Sequence, residues 1–283
     1  MRLSLAEMGA NVLNTADGRA KTALSLQYAQ AWQEARAAGN MLEIGSAPAP
    51  DHPARPEAPR LCAPKDVAKR KPGSPEGRIA LLHAVAHIEL NAVDLHWDII
   101  VRFSKTRLPT GFFDDWVRAA AEESKHFNLI CDCLENLGSF YGALYAHAGM
   151  WRAAQDTKTD LLGRLAVVPM VLEARGLDVT PNMIKIFKQA KETQAVEALE
   201  LIYSEEVTHV AYGSKWFNFL CGRDDKDPKQ VFHALVRKYF KGNLKPPFNA
   251  EKRADAGIPP DFYWPLTENI EYPAFLGGKN APD

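Results

Sequence analysis

The sequence predicts an all-α fold with a four-helix bundle at its centre. Apolar residues recur at helical spacing through most of the chain between residues 75 and 240. Within this part, a lone glutamate followed by a Glu-x-x-His motif occurs twice, and the residues concerned are Glu89, Glu123, His126, Glu173, Glu206 and His209. Prolines concentrate before residue 75 and after residue 240, where they oppose both helices and central strands.

The two copies of this pattern have nearly the same spacing. Glu123 follows Glu89 by 34 residues, and Glu206 follows Glu173 by 33 residues. At a rise of about 1.5 Å per residue, this spacing allows two half-helices and a short turn, so each lone glutamate can face its motif on an antiparallel neighbour. Coincidental surface glutamates would not need to repeat it. The doubled pattern is the ligand set of a di-metal carboxylate site in a helical bundle.

Composition and charge narrow the class of protein. Of 283 residues, 46% are hydrophobic and 24% are charged, which suits a globular chain with a sizeable core. A net charge of −1 gives no general reason to expect nucleic acid or an anionic membrane as the main partner. The N-terminus has no apolar leader segment, so we expect a cytoplasmic protein without membrane attachment. Cys131 and Cys133 are expected to be half-buried helix residues rather than metal or redox groups.

Residues 1–74 predict an N-terminal helical hairpin and a wrapping segment. Apolar residues follow a helical period up to Leu13 and again from Leu24 to Ala35, with a break at residues 15–18. The Pro-rich stretch from Gly39 to Gly77 is expected to lie extended over the bundle. Its basic cluster, Lys65 to Lys71, is interpreted as a solvated face in preference to a binding site.

The first ligand helix is predicted to begin after Ser74-Pro75 and to run to about Arg102. Glu89 lies in an apolar part of this helix, where a carboxylate is costly unless it is paired or binds a cation. At about 100° per residue, His83 and His87 point away from Glu89 and are interpreted as structural. His96 shares the face of Glu89 but lies about 10 Å along the axis, which predicts that it is too far for the same metal.

The remaining helices follow in order. They are predicted at about 112–137, 158–175 with Gly176 as its end, 183–191, 193–220 and 228–240. The aromatic stretch 138–157 either lines an access route or plugs one end of the bundle. Pro169 must kink its helix or free a carbonyl. Residues 241–283 are expected to form an extended tail packed on the bundle and to fray after about Ala274. The chain thus divides into residues 1–74, 75–240 and 241–283.

The predicted ligands suit iron or manganese. Two divalent cations would balance four glutamates, and the two neutral histidines add ligand atoms without charge. Carboxylate oxygens with a minority of imidazole favour these metals, and the absence of thiolate argues against structural zinc. In such a bundle the motif glutamates would bridge the metals, and each lone glutamate would bind one of them. Tyr203, one turn before Glu206, is either a hydrogen-bond partner, a redox-active phenol or a packed tyrosine.

Four stretches carry a resemblance to a known family: SPEGRIALLHAVAHIELNAVDL, FFDDWVRAAAEESKHF, VPMVLEARGLDVTP and EEVTHVAYGSKWF. They resemble the ferritin-like proteins of domain-of-unknown-function family 455, which are compared with the tRNA hydroxylase MiaE. The resemblance spans nearly the whole chain and implies a ferritin-like bundle with a di-iron site at the six positions above. At position 125 this chain has lysine where many relatives have arginine. The side chain of Lys125 should point away from the metals.

A second resemblance concerns the acids that precede the motif glutamates. In sites of the soluble methane monooxygenase and ribonucleotide reductase type, this acid reaches the histidine of the opposing motif. The resemblance implies that Glu122 contacts His209 and that Glu205 contacts His126, so that each orients a ligand. The alternative is two glutamates that face solvent.

These observations predict a di-iron oxidoreductase that activates O2 or peroxide and oxidises a small organic substrate, with an unidentified electron donor. The alternatives are an iron-binding or peroxide-scavenging protein without an organic substrate, a tRNA hydroxylase similar to MiaE, and a structural bundle with a vestigial site. The terminal segments would obstruct a ferritin cage, and paired C-x-x-C motifs typical of rubrerythrin are missing. A tRNA substrate would need a basic surface, for which Lys65 to Lys71 and the group Lys238, Lys241 and Lys245 are candidates.

Overall fold

The computed structural model describes residues 3–40, 42–63, 66 and 70–267. These residues form helices and connecting segments without named strands, apart from two isolated β-bridges, which confirms the all-α prediction. The helices are α1 Leu5–Leu13, α2 Gly18–Ala37, α3 Pro75–Arg102, α4 Thr110–Asn136, α5 Gly149–Asp156, α6 Leu161–Val167, a π-helix Val168–Glu173, α7 Ala174–Ala190, α8 Thr193–Arg223, α9 Pro228–Tyr239, α10 Ala250–Asp255, α11 Pro260–Tyr263 and a 3₁₀ turn Trp264–Leu266. Among the helices of these ranges, none has the length and apolar character to cross a membrane.

The chain forms two compact units that interleave along the sequence. The first unit contains residues 1–158 and 182–202, and the second contains residues 159–181 and 203–283. The predicted division at residues 74 and 240 follows the character of the sequence and stays a prediction.

In the first unit, the predicted N-terminal hairpin packs closely on the ligand helices. A Cβ added to Gly9 of α1 would lie 2.6 Å from Cγ2 of Val101, so α1 approaches α3 at a point where only glycine fits. Trp97 of α3 donates its indole N–H to Oγ of Ser25 on α2 at 2.8 Å. In the Pro-rich segment that follows, the described residues 42–63 contain no helix, and this part pairs with the loop after α4 through a bridge between Leu61 and Ala146.

Local sequence signals account for the ends of α3 and α4. Oγ of Ser74 accepts the N–H of Gly77 at 3.1 Å, and Pro75 occupies the first position of α3, where its missing N–H costs nothing. Gly138 follows the end of α4 with a φ of 72°, the left-handed conformation that commonly ends a helix. Both predicted helices therefore match the structure to within two residues.

In the second unit, the predicted end of a helix at Gly176 is wrong. The π-helix passes directly into α7, which continues through Gly176 and contains Pro181. Proline cannot donate to the carbonyl four residues earlier, which belongs to Leu177. Nδ2 of Asn249 donates to that carbonyl at 3.2 Å, so the tail supplies the bond that the helix lacks.

The C-terminal tail is more ordered than the sequence predicts. It contains α10 and α11 where an extended chain is expected, and Asn249 caps α10 by accepting the N–H of Lys252 at 3.2 Å. Residues 268–283, including the predicted fraying after Ala274, lie outside the described residues.

Candidate metal centre

Three of the predicted ligands come together in the first unit. Nδ1 of His126 lies 3.3 Å from Oε2 of Glu89 and 3.5 Å from Oε2 of Glu123. Glu89 projects from α3, whereas Glu123 and His126 are one turn apart on α4 and so share a face of that helix. All three are buried, with exposures of 4%, 1% and 0%.

This arrangement fits a divalent cation. A ligand atom from each of the three residues lies within 4.8 Å of the others. Carboxylate and imidazole ligands bind zinc-like cations at about 2.0–2.2 Å, so two ligands at roughly right angles on one cation lie about 3 Å apart. Burial, and next the charge of Glu123, raise the pKa of Glu89 well above its ordinary value. A cation between the two carboxylates would offset both effects, so this buried Glu/His group could hold a metal ion.

In the described part of the chain, His96 approaches Glu123 without sharing a group of potential metal ligands with Glu89, which agrees with the prediction that it is too far from Glu89 to share a metal. Its Nε2 lies 3.5 Å from Oε1 of Glu123, and its ring stacks on Trp116 with a centroid distance of 5.3 Å. Because α4 packs along α3, Glu123 reaches a different height of that helix. The signal that could have identified His96 is the face it shares with Glu89.

The second unit holds the other three predicted ligands. Nδ1 of His209 lies 3.5 Å from Oε1 of Glu206, one turn earlier on α8, which repeats the distance between Glu123 and His126. His209 is fully buried and Glu206 is 8% exposed. Glu173 is also buried and is the last residue of the π-helix.

Two contacts within the second unit fix the segment that carries Glu173. Pro169 of the π-helix lies against Gly213 of α8, where a Cβ would be 2.5 Å from the proline ring. Nη2 of Arg253 donates to the carbonyl of Ala174, the residue after Glu173, at 3.3 Å. The predicted distortion at Pro169 is therefore confirmed, and it takes the form of a π-helix.

Tyr203, Glu122 and Glu205 are predicted to lie close to the metal ligands. The phenol oxygen of Tyr203 accepts a hydrogen bond from Nδ2 of Asn249 at 2.7 Å, and a role for Tyr203 beside the metal ligands stays a prediction. Glu122 is half-buried, with Oε1 3.8 Å from Nε of Arg118 on the same helix, and Glu205 is half-buried on α8. The contacts predicted by resemblance, Glu122 with His209 and Glu205 with His126, remain predictions.

The structural interpretation of His83 and His87 agrees with their contacts. Nε2 of His83 accepts the backbone N–H of Gly142 at 3.0 Å. Nδ1 of His87 lies 2.9 Å from the hydroxyl of Tyr141, and its Nε2 lies 3.0 Å from the carbonyl of His147. Burial lowers the pKa of each histidine to about 4, so both are neutral and are held by the loop after α4.

The paired cysteines are also structural. Cys131 and Cys133 are buried on α4, and burial raises the pKa of the Cys131 thiol to about 12 and that of Cys133 to about 11. A thiol of so high a pKa provides little thiolate, the form that binds metals or reacts.

Comparison with known proteins places the chain in a family. A family model described as "Protein of unknown function (DUF455)" matches residues 14–264. The chain belongs to the DUF455 family. A relative from Haemophilus influenzae, recorded as "Uncharacterized protein", is 43% identical over 208 residues, which cover 72% of each chain. No solved structure matches this DUF455 chain. The matched range contains all six predicted ligands.

Proposed function

We propose that this protein is a di-iron carboxylate oxidoreductase that activates O2 or peroxide and oxidises a small organic substrate, with manganese as the alternative metal. The observation that carries the proposal is the buried group of Glu89, Glu123 and His126, whose sequence pattern is repeated by Glu173, Glu206 and His209. We infer from this repeat that the two triplets together supply the ligands of one metal centre.

The side chains of the centre would perform three tasks. The glutamates would neutralise the metals, since four carboxylates balance two divalent cations. His126 and His209 would bind as neutral imidazoles, because a protonated ring has no lone pair for a metal. Burial of all six residues would exclude water and strengthen each electrostatic contact. A bound iron pair would supply the electrons that O2 or peroxide chemistry requires.

Metal stoichiometry tests the proposal. Metal-free protein is loaded with Fe(II) under anaerobic conditions, bound iron per chain is measured, and optical and Mössbauer spectra are recorded after mixing with O2. We expect two irons per chain and a spectral change that depends on O2. Glu89→Ala and Glu206→Ala should each reduce bound iron, because each removes a charged ligand from a buried site.

Glu197→Ala is the matched control, since Glu197 is exposed on the same helix as Glu206. It should bind iron like the unmodified chain. Binding of at most one metal, or iron binding that survives both Glu89→Ala and Glu206→Ala, would contradict the proposal. Peroxide consumption without oxidation of any organic compound would instead support a scavenging function.

A further inference from the structure

A cavity of about 180 Å³ lies in the first unit between α3 and the Pro-rich segment. One wall consists of residues 87, 90, 91 and 94 of α3, and the facing wall is formed by residues 54–57 and 59–61 of the Pro-rich segment. Lys21 of α2 and Tyr141 complete the lining. A single water needs only about 10–15 Å³ of such volume, so the cavity has room for a small organic molecule.

The cavity wall contains a buried ion pair. Lys21 and Asp94 are 1% and 3% exposed, and Nζ of Lys21 donates to Oδ1 of Asp94 and, at 3.0 Å, to the carbonyl of Ala54. Two opposite charges in contact balance each other where water has little access. Arg60 and Glu57, which also carry opposite charges, lie at the exposed rim.

Arg55 adds a further cation that this pair does not balance. Nη2 of Arg55 donates to Oδ1 of Asn91 at 3.1 Å, and this neutral amide is the one hydrogen-bond partner of the guanidinium within the described ranges. The charge of Arg55 acts on Asp94, His87 and Tyr141, which all line the cavity. A guanidinium has five N–H donors, so most of them are available to a ligand.

We propose that this cavity binds a small organic carboxylate and that Arg55 recognises the carboxylate group. The planar fork of a guanidinium matches a carboxylate through two parallel hydrogen bonds, and the pair would supply the missing negative charge. Leu90, Pro56 and Pro59 provide apolar surface for the body of the ligand.

This carboxylate site is separate from the proposed metal centre. His87 lies two residues before Glu89 on α3, which turns it about 200° around the helix axis. Asn91 and Asp94 follow His87 by four and seven residues and therefore share its face. A ligand in the cavity would contact the face of α3 opposite to Glu89, so the carboxylate site does not depend on the proposed function.

Thermal unfolding of the full chain tests this inference, with and without bound metal. The probes are acetate, pyruvate, succinate and benzoate, inorganic phosphate forms a second arm, and sodium chloride at equal ionic strength is the reference. A ligand that binds only the folded chain raises Tm, by roughly 5 °C at about a hundredfold excess over Kd. We expect this rise with at least one carboxylate and its loss in Arg55→Met.

Two further variants keep the result interpretable. Arg55→Lys retains the charge without the planar fork and should give a smaller rise, and Arg152→Met removes an exposed arginine of α5 and should leave the rise unchanged. The inference is overturned if chloride matches the carboxylates, if phosphate alone raises Tm, if no probe does, or if the rise persists in Arg55→Met.

Discussion

His87 uses both ring nitrogens in contacts that suit only the neutral ring. Its Nε2–H donates to the carbonyl of His147, so its Nδ1 accepts the hydroxyl proton of Tyr141. A second ring proton would face the Tyr141 hydroxyl proton and would leave a charge in a buried site. The low pKa of His87 is therefore a property of the folded chain and links stability to pH.

Acid should destabilise the protein through His87. Its pKa is about 4 in the folded chain and near 6.5 when unfolded, so the unfolded chain binds the proton more tightly. Stability from this group is complete above pH 6.5 and is lost as the pH falls towards 4, by up to about 3 kcal/mol. In urea unfolding across this pH range, His87→Gln should lose less stability on acidification than the unmodified chain.

Asp94 acts in the opposite direction in part of the same pH range. Burial raises its pKa to about 6, so its contribution to stability decreases as the pH rises from about 4 to 6. Because Asp94 is present in both proteins, the difference between the unmodified chain and His87→Gln isolates the histidine. Parallel pH profiles for the two proteins would show that His87 is not the group responsible.

For individual residues, spacing in the sequence alone predicted which side chains of the first unit would come together. Glu89, Glu123 and His126 come together because helical geometry fixes which side chains share a face and how far a turn displaces them. The approach of His96 to Glu123 was not predicted, because it depends on how α4 packs along α3. That packing is set by side chains distant in sequence, which local periodicity does not report.

Among the helices, the π-helix Val168–Glu173 depends on a small residue opposite it. A π-helix is rare because its hydrogen bonds and packing are poorer than those of an α-helix, so neighbouring structure must hold it. Pro169 prevents regular α-helical bonding, and Gly213 leaves the space that the proline ring occupies. The segment that carries Glu173 therefore requires Gly213.

Replacement of glycine by alanine within a helix usually stabilises a protein, but at Gly213 it should destabilise this one. Alanine favours a helix over glycine by about 1 kcal/mol, but its Cβ would lie 2.5 Å from Pro169, and overpacking typically costs about 1–3 kcal/mol. We expect Gly213→Ala to lower the free energy of unfolding and to weaken metal binding. Gly222 lies on the same helix with nothing within 4 Å of an added Cβ, so Gly222→Ala should stabilise. Chemical denaturation measures both, and equal stabilisation would contradict the required contact.

A helix boundary was predicted correctly where the contacts that set it lie within one turn of the chain, and wrongly where they come from a distant residue. Ser74 and Pro75 determine the start of α3 through bonds within one turn, and that start was correctly predicted. The passage of α7 through Pro181 depends on Asn249, far along the chain, which donates to the carbonyl that the proline leaves unbonded. No local signal reports such a partner, so the helix was wrongly ended at Gly176.

At the scale of the whole molecule, Arg253 anchors the described part of the tail to α7. Its Nε and Nη2 donate to the two carboxylate oxygens of Asp178 at 2.9 and 2.7 Å, and its guanidinium lies over the rings of Phe248 and Tyr263. Arg253 is 2% exposed, so the pair is shielded from water. Such a pair specifies one position for the tail on α7.

Breaking the buried pair of Arg253 and Asp178 should lower the free energy of unfolding more than breaking an exposed ion pair does. Arg253→Met leaves the buried carboxylate of Asp178 with only the partly exposed Arg175, at 3.3 Å, as a cationic partner and should destabilise the chain by about 3 kcal/mol. Arg253→Met combined with Asp178→Asn should recover part of that loss, since no charge is then left behind. Lys252→Met removes the neighbouring exposed pair with Asp255 and should change stability little. Denaturant midpoints provide the comparison, and equal effects of Arg253→Met and Lys252→Met would refute the anchor.

The partners of the remaining polar residues on α3 have a consequence for metal selectivity. The helix buries several groups that bind metals, yet His83 and His87 are occupied by the loop after α4, Asp94 by Lys21, and Asp98 by Arg102. A divalent ion that competes for these groups must first displace a hydrogen bond or an ammonium or guanidinium ion. Glu89 and His96 instead lie beside glutamate and histidine side chains that could hold a metal ion. Under the proposed function, these partners would protect α3 against mismetallation.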